Sequence, residues 1–422
     1  MRGDHAQVRG YLGASMLRSL PAFLLLTVVL APMSAQRPPR IEKVDAFKDP
    51  YTKNDPGHLA SLGYVNVGQF VWVGDITTPK LQEILGSDTA IFIETEHFKL
   101  ACTLRSFPWP KEKDRREALT AELEALAARC PEFKTKVRAL DPWLRAHLFA
   151  QRLEKLYADF CAALAIDPTR FPKEKGSPRG PDYLGEGPHL GMPEKFGVMI
   201  CHKALSVGTL TRTLYGHAAT DSYRFNDVGN GMLFFGTAAE FADKGLLDDR
   251  KLHCHVAYSV VHNLLDGYKT YTHRIPAWIE EGLPLWFSRP IDEEFRNFVG
   301  KDDAGATTLK GHEWERRVRL RVEHEVWPKA ERFLSIFGGG SLTFVDNMMA
   351  WSRVDCLLAQ GPEKAGAFVG LLKAPVTTEP RQPTEAEVLA RQREALQQVL
   401  GWDDAAFDRA WVEFVVAKYP KK

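Results

Sequence analysis

The sequence lacks an excess of charge of either sign. Its 55 Lys and Arg residues are balanced by 54 Asp and Glu residues, so the formal net charge is +1 and the pI is about 7.7. A protein that binds phosphate backbones through a basic face carries a clear surplus of Lys and Arg. The composition therefore predicts no nucleic-acid partner. The apolar content of 45% and charged content of 26% are typical of a globular protein.

The sequence also lacks closely spaced cysteines. No two of its six cysteines form a C-x-x-C pair, which argues against a structural zinc knuckle and against a dithiol redox site. In an oxidising compartment some of them could form disulfides. A chain of this length does not need cross-links to be stable, so buried free thiols are the favoured prediction. The six positions are Cys102, Cys130, Cys161, Cys201, Cys254 and Cys356.

No apolar run reaches the ~20 residues that a membrane-spanning helix needs. The run over residues 20–31 (LPAFLLLTVVLA) follows Arg18 and precedes the segment Pro32-Met33-Ser34-Ala35. A short apolar run between a basic residue and small residues is typical of a secretory signal peptide. We therefore predict a signal peptide over residues 1–35, no stable membrane span, and a secreted, periplasmic or cell-envelope location.

The rest of the chain contains neither an internal repeat nor a low-complexity tract, and its patterns divide it into three segments. Residues 36–89 are rich in Pro, Gly, Asp and Lys, which predicts an irregular N-terminal extension. Residues 90–300 mix strand and helix patterns and predict an α+β core with a small sheet. Residues 301–422 are mainly helical and predict a C-terminal subdomain, in which Gly338-Gly339-Gly340 indicates a flexible break.

Periodicity and capping signals place the elements within these segments. Alternation predicts strands, spacings of three and four predict helices, and Thr384 with Glu387 forms the capping box of a helix that Gly401 ends. The predicted elements are two short strands or one bent strand in residues 90–104, helices in residues 111–130 and 142–166, strands in residues 196–202 and 231–235, and helices in residues 384–400 and from Asp403 or Asp404 onward.

A complete H-E-x-x-H motif is also missing, although residues 258–289 have its outline. In a zinc peptidase, two His residues one helical turn apart bind one ion and the Glu beside the first His polarises the bound water. Here only the second His is present, as His262, while Tyr258 occupies the first His position and Ser259 the general-base position. Glu281 follows His262 by 19 residues, within the segment Trp278-Ile279-Glu280-Glu281-Gly282.

This spacing and the W-x-x-E-G segment resemble the H-E-x-x-H-x18-E arrangement of gluzincins, in the peptidase MA superfamily. Within that superfamily, the chain resembles the secreted proteins of planctomycete-type bacteria that are grouped as a domain of unknown function (DUF1570-like). The resemblance extends from the strand that contains His97 to the final helix. It implies a zincin-like core with an active-site helix, and vestigial zinc ligands at His262 and Glu281.

Other residues could compensate for the missing ligand. His255 lies seven residues before His262 on the same helix face, but two turns, about 10.5 Å, is a poor reach for one ion. Tyr258 could bind through its phenolate, at the cost of deprotonating a phenol whose pKa is near 10. Asp266 could orient a His, or lie solvated at the helix end. Ser259 with His262 as base would make a serine nucleophile, but no nucleophile-elbow motif surrounds it.

The favoured interpretation is a secreted, zincin-like protein that has lost peptidase activity, has no resident cofactor, and binds a peptide or protein in the former active-site cleft. The residues expected to line that cleft are His255, Asp266, Trp278 and Glu280. One alternative is an active zinc metallopeptidase with non-standard ligands, namely His262 and Glu281 with Tyr258 or His255. Another is a structural envelope protein without a site.

Overall fold

A computed structural model describes residues 45–174, 182–241, 245–271, 274–298, 313–375 and 381–421. The predicted signal peptide lies outside these ranges, and so does the predicted subdomain boundary at residue 300, which stays a prediction. The described chain has mixed α/β structure of the α+β kind, as predicted. No helix in the described part is long and apolar enough to cross a membrane.

Within the described ranges, ten strands form one large sheet and two small ones. Their bounds are β1 Tyr64–Val67, β2 Val71–Val73, β3 Ile76–Thr77, β4 Ile91–Thr95, β5 Phe98–Cys102, β6 Phe107–Pro108, β7 Ala139–Leu140, β8 Phe196–Cys201, β9 Tyr223–Asp227 and β10 Met232–Ala238. The large sheet has the order β1-β4-β5-β8-β10-β9, while β2 pairs with β3 and β6 with β7. Strand β8 is parallel to β5 and β10, and the other neighbours in the large sheet are antiparallel.

Burial explains which strands the sequence pattern predicted well. Every residue of β4, β5, β8 and β10 is buried, and most of these residues are apolar. The two edge strands differ from them, because β1 and β9 are partly exposed and mix polar with apolar residues. The predicted strand pair in residues 90–104 is confirmed as β4 and β5, and the strands predicted at residues 196–202 and 231–235 as β8 and β10.

Thirteen α-helices lie in the described residues. Their bounds are α1 Pro56–Leu62, α2 Thr78–Leu85, α3 Lys113–Arg129, α4 Pro142–Ala163, α5 Ala204–Tyr215, α6 Asp249–Gly267, α7 Ala277–Ser288, α8 Trp314–Glu323, α9 Ala330–Phe333, α10 Phe344–Leu358, α11 Pro362–Leu372, α12 Glu385–Leu400 and α13 Asp404–Lys418. Short 3₁₀ helices lie at Pro168–Arg170 and Gly339–Ser341. The predicted capping box at Thr384 and the glycine end of α12 are confirmed.

The helix α6 is held between the sheet and α7. It begins at Asp248, whose side chain accepts hydrogen bonds from the N–H groups of Arg250 and Lys251. It packs on β10, α4 and α7. Helix α7 in turn lies close against α10, because a Cβ added at Gly282 would stand 2.6 Å from the carbonyl oxygen of Ala350. A larger residue at position 282 would therefore force the two helices apart.

The structure corrects the prediction of an irregular extension over residues 36–89. Within its described part, from residue 45, this segment contains α1, β1, β2, β3 and α2, and β1 is an edge strand of the large sheet. The elements are short and lie between Gly and Pro residues, so no periodic pattern extends far enough to be detected. The prediction of buried free thiols is confirmed, since all six cysteines are free and buried.

Candidate functional site

One face of α6 carries four of the residues that the sequence analysis singled out. Because successive residues of an α-helix are about 100° apart, His255, Tyr258, His262 and Asp266 project from the same side of the helix. The two helices α6 and α7 pack together, and this brings Glu281 of α7 to that face. Tyr258, His262 and Glu281 are therefore spatial neighbours.

The centre of the cluster is a hydrogen bond between the two helices. The Tyr258 hydroxyl donates to Oε2 of Glu281. The imidazole of His262 packs edge-on against the Tyr258 ring, with ring centroids 4.7 Å apart. Its Nε2 lies 3.8 Å from the same Glu281 oxygen, which is beyond hydrogen-bond range. The oxygen nearest to His262 is thus already bound by a phenol.

Burial controls the protonation of all three groups. Tyr258 and His262 are buried, and the Glu281 side chain is only 13% exposed. Burial and then the negative charge of Glu281 raise the pKa of Tyr258 well above its usual value, so the phenol keeps its proton. Burial and then the positive charge of Arg224 lower the pKa of His262 well below its usual value, so the imidazole is neutral. Burial also raises the pKa of Glu281, although the Tyr258 hydrogen bond opposes this effect.

A glycine turn closes the cluster from the C-terminal part of the chain. Gly339 lies so close to Glu281 that an added Cβ would stand 1.9 Å from Oε1. The segment predicted as a flexible break is therefore a 3₁₀ turn packed against α7. The neighbouring carboxyl of Glu280 lies at the border of the cluster, where burial and the charges of Glu281 and Asp266 raise its pKa to about 7.

The other predicted residues have different surroundings. His255 is a hydrogen-bonding core residue, with Nε2 2.8 Å from the Ser222 hydroxyl and Nδ1 3.2 Å from Oδ1 of Asn297. Trp278 does not line a cleft with them: it is buried between Phe368 and Phe407, and its Nε1 donates to Gln392. The cleft-lining role expected of Trp278 is thus wrong, because α7 turns its indole toward α11 and α12.

Asp266 is partly exposed at the end of α6, and Ser259 is buried in the middle of the same helix. The Asp266 carboxylate forms an ion pair with Arg224 of β9, at 3.0 Å, and so joins the end of α6 to the edge strand. Ser259 is buried, and no strand-turn-helix elbow surrounds it, because it lies in the middle of α6. Neither the serine-nucleophile arrangement nor a His-orienting role for Asp266 is formed by these contacts.

The donor set does not fit a bound zinc ion. Zinc takes three or four ligands from Cys, His or carboxylate groups. In the described ranges, no group of three or more His, Cys, Asp or Glu side chains is arranged to hold a metal ion. His262 and Glu281 supply two donors, the Tyr258 phenol is protonated, and His255 is bonded to Ser222 and Asn297.

A second charged cluster on α6 was not predicted from the sequence. Asp249 is buried and pairs with Nη2 of Arg145 at 2.8 Å and with Nη1 of Arg152 at 3.1 Å, both on α4. Burial alone would raise the pKa of Asp249, but the charges of Arg152 and Arg145 lower this pKa to about 2. The apolar spacing of α4 gave no sign that its arginines point inward. This cluster fastens the start of α6 to α4.

In comparisons with known proteins, no family model matches this chain, and no curated protein matches it significantly.

Proposed function

We propose that the protein is an exported, zincin-like protein without peptidase activity, in which the former metal positions form a closed hydrogen-bonded cluster. One observation carries the proposal. The Tyr258 hydroxyl donates to the Glu281 oxygen that faces His262, so a proton occupies the place between the helices that a metal would need. This arrangement satisfies the buried carboxylate without any ion.

The groups that would carry the chemistry are also unsuited to it. A zinc peptidase needs a carboxylate beside the metal-bound water as general base, and Ser259 occupies that position. Glu281 is engaged by the phenol, and Gly339 lies against its other oxygen. Glu280 has a pKa near neutrality, which suits a general base, but no His lies one turn from it on α7 to bind a metal beside it.

If the Tyr258 cluster has no catalytic activity, the activity that remains for this part of the protein is binding. Strand β9 is at the end of the sheet order and pairs only with β10 within the described residues, so its outer edge offers backbone donors and acceptors. Tyr223 and Phe225 flank Arg224 on this strand and are half-buried. A sheet edge without a partner strand can add an extended peptide as a further strand. We propose an extended peptide segment as the ligand.

The metal part of the proposal is tested by elemental analysis of the purified protein and of a Tyr258→His/Ser259→Glu double variant. The parent is expected to contain no stoichiometric zinc and to show no chelator-sensitive cleavage of casein. The double variant is expected to bind one zinc ion, because His262 and Glu281 are already on the correct face. Adding His262→Ala to the double variant should remove that zinc. Stoichiometric zinc in the parent together with chelator-sensitive cleavage would refute the proposal.

The binding part is tested with extended peptides from a casein digest, measured by fluorescence anisotropy. A bound peptide should lose affinity at least about tenfold when alternate amides are N-methylated, since methylation removes the donors that pair with a strand. Equal affinity of the methylated and unmethylated peptides would show that the edge of β9 is not used.

A further inference from the structure

The face of α6 opposite the Tyr258 cluster forms one wall of an open cleft of about 820 Å³. Helices α4, α7 and α10 contribute the other walls. The floor is mostly apolar and is formed by Leu153, Leu156, Val256, Ala257, Trp286 and Phe287. A volume of this size lies within the range of ~300–1,000 Å³ that is usual for small-molecule sites.

The charged groups at the border of this cleft are all paired with one another. Lys155 and Asp159 form one ion pair, Arg152 and Glu122 a second, and Lys418 and Asp355 a third. The Asp355 carboxylate also accepts from the Trp286 indole. A charged ligand would have to compete with these ion pairs. The border carries equal numbers of positively and negatively charged side chains. The border therefore gives no net attraction to an ion of either sign.

One polar group in the cleft has no such partner. His253 lies where this cleft meets a smaller cavity of about 300 Å³, and it lines both. Its ring is edge-on to Phe149, and neither ring nitrogen has a hydrogen-bond partner in the described chain. Burial lowers the pKa of His253 well below its usual value, so the neutral ring offers one donor and one acceptor.

We propose that this cleft binds an uncharged, mainly apolar small molecule that carries one hydroxyl or carbonyl group for His253. The apolar floor stabilises the body of such a ligand, and the unpartnered imidazole gains a hydrogen bond that water otherwise supplies. The ion pairs at the border stay intact when the ligand enters. The site is separate from the Tyr258 cluster, so it does not depend on the proposed loss of peptidase activity.

Binding is measured with the uncharged fluorescent probe N-phenyl-1-naphthylamine and the full chain. Two blocking variants are Ala162→Trp and Ala359→Trp, because both alanines line the cleft and are exposed, so a larger side chain does not disturb the core. Each is expected to weaken probe binding at least about tenfold. The matched control is Ala405→Trp, an exposed alanine of α13 that does not line the cleft, and it should bind as the parent does. No binding by the parent, or equal loss in the control, overturns the proposal.

The ligand class is tested by displacing the probe with 1-decanol or with decanoate at pH 8. The alcohol is expected to displace the probe at a concentration at least about tenfold lower than the carboxylate. His253→Leu should reduce this preference, and His253→Gln, which keeps a donor and an acceptor, should retain part of it. Thermal unfolding of both variants checks that they are folded. Stronger displacement by decanoate, or an unchanged preference in His253→Leu, contradicts the proposed ligand.

Discussion

The hydrogen bond between Tyr258 and Glu281 can be removed without altering the shape of the core, by the substitution Tyr258→Phe. The variant keeps the aromatic ring against His262 but leaves the buried Glu281 carboxyl without its donor. A hydrogen bond to a charged group contributes about 1.5–3 kcal/mol, and one to a neutral group about 0.5–1.5 kcal/mol. We therefore expect a loss of about 2–3 kcal/mol where Glu281 is ionised and about 1 kcal/mol where it is protonated.

The dependence on pH follows from the direction of the pKa shift. The pKa of Glu281 is raised in the folded protein by burial, so its contribution to stability is fully present below the unfolded pKa and falls as the pH rises through the folded pKa. The Tyr258 hydroxyl counteracts that rise. Without it the folded pKa increases further, and the fall in stability extends to higher pH. The difference between variant and parent should therefore grow from pH 5 to pH 9.

Urea unfolding followed by tryptophan fluorescence at pH 5, 7 and 9 measures this difference. The matched control is Tyr215→Phe, because the Tyr215 hydroxyl is buried and has no hydrogen-bond partner among the residues that the structure describes, so its removal should leave stability unchanged or slightly increased. A loss in Tyr258→Phe that is the same at all three pH values, or no larger than that of the control, would refute the account of the cluster.

Three further substitutions test other contacts. Glu280→Gln should stabilise the protein by about 1–2 kcal/mol at pH 8 and leave stability unchanged at pH 4. The pKa of Glu280 is raised to about 7 in the folded protein, so Glu280 lowers stability only as the pH rises from its unfolded pKa to its folded pKa. Calorimetry at the two pH values measures this effect. Gly339→Ala should cost about 1–3 kcal/mol because its methyl group would overlap Glu281, whereas Gly340→Ala meets nothing within 4 Å and should be nearly neutral in the same urea assay. Asp249→Asn should cost about 3–5 kcal/mol because buried Arg145 loses its carboxylate and Arg152 keeps only Glu122, and a melting temperature equal to that of the parent would contradict the pairing.

Features with local causes were predictable from the sequence. The capping box of Thr384 and Glu387 lies within four residues, and Gly401 adopts the left-handed conformation that ends α12. Strands β8 and β10 are buried along their whole length, so their composition alone identifies them. The positions of His262 on α6 and of Glu281 on α7 also follow from the sequence, because the place of each residue along its helix is a local property.

Contacts between distant segments were not predictable in this way. Asp249 meets Arg145, which lies 104 residues earlier, and nothing in the spacing of either helix indicates that the charges point inward. Gly339 was expected to bend freely, but a small residue is required there because the Glu281 carboxyl occupies the adjacent space. Trp278 was predicted to line a cleft, but its indole packs on Phe368 and Phe407, which belong to helices much later in the chain.

The six buried thiols give the protein a set of internal reporters of local opening. They are distributed over β5, the end of α3, α4, β8, α6 and α10. A buried thiol reacts with an alkylating reagent only when its surroundings open, so each labelling rate measures the free energy of opening of one element. Comparison of Cys102 in the sheet with Cys356 in α10 would show whether the sheet and the C-terminal helices open together. Equal opening free energies at the two thiols would show that the sheet and the C-terminal helices are one cooperative unit. A lower opening free energy at Cys356 would show that the C-terminal helices open separately, as the predicted subdomain boundary implies.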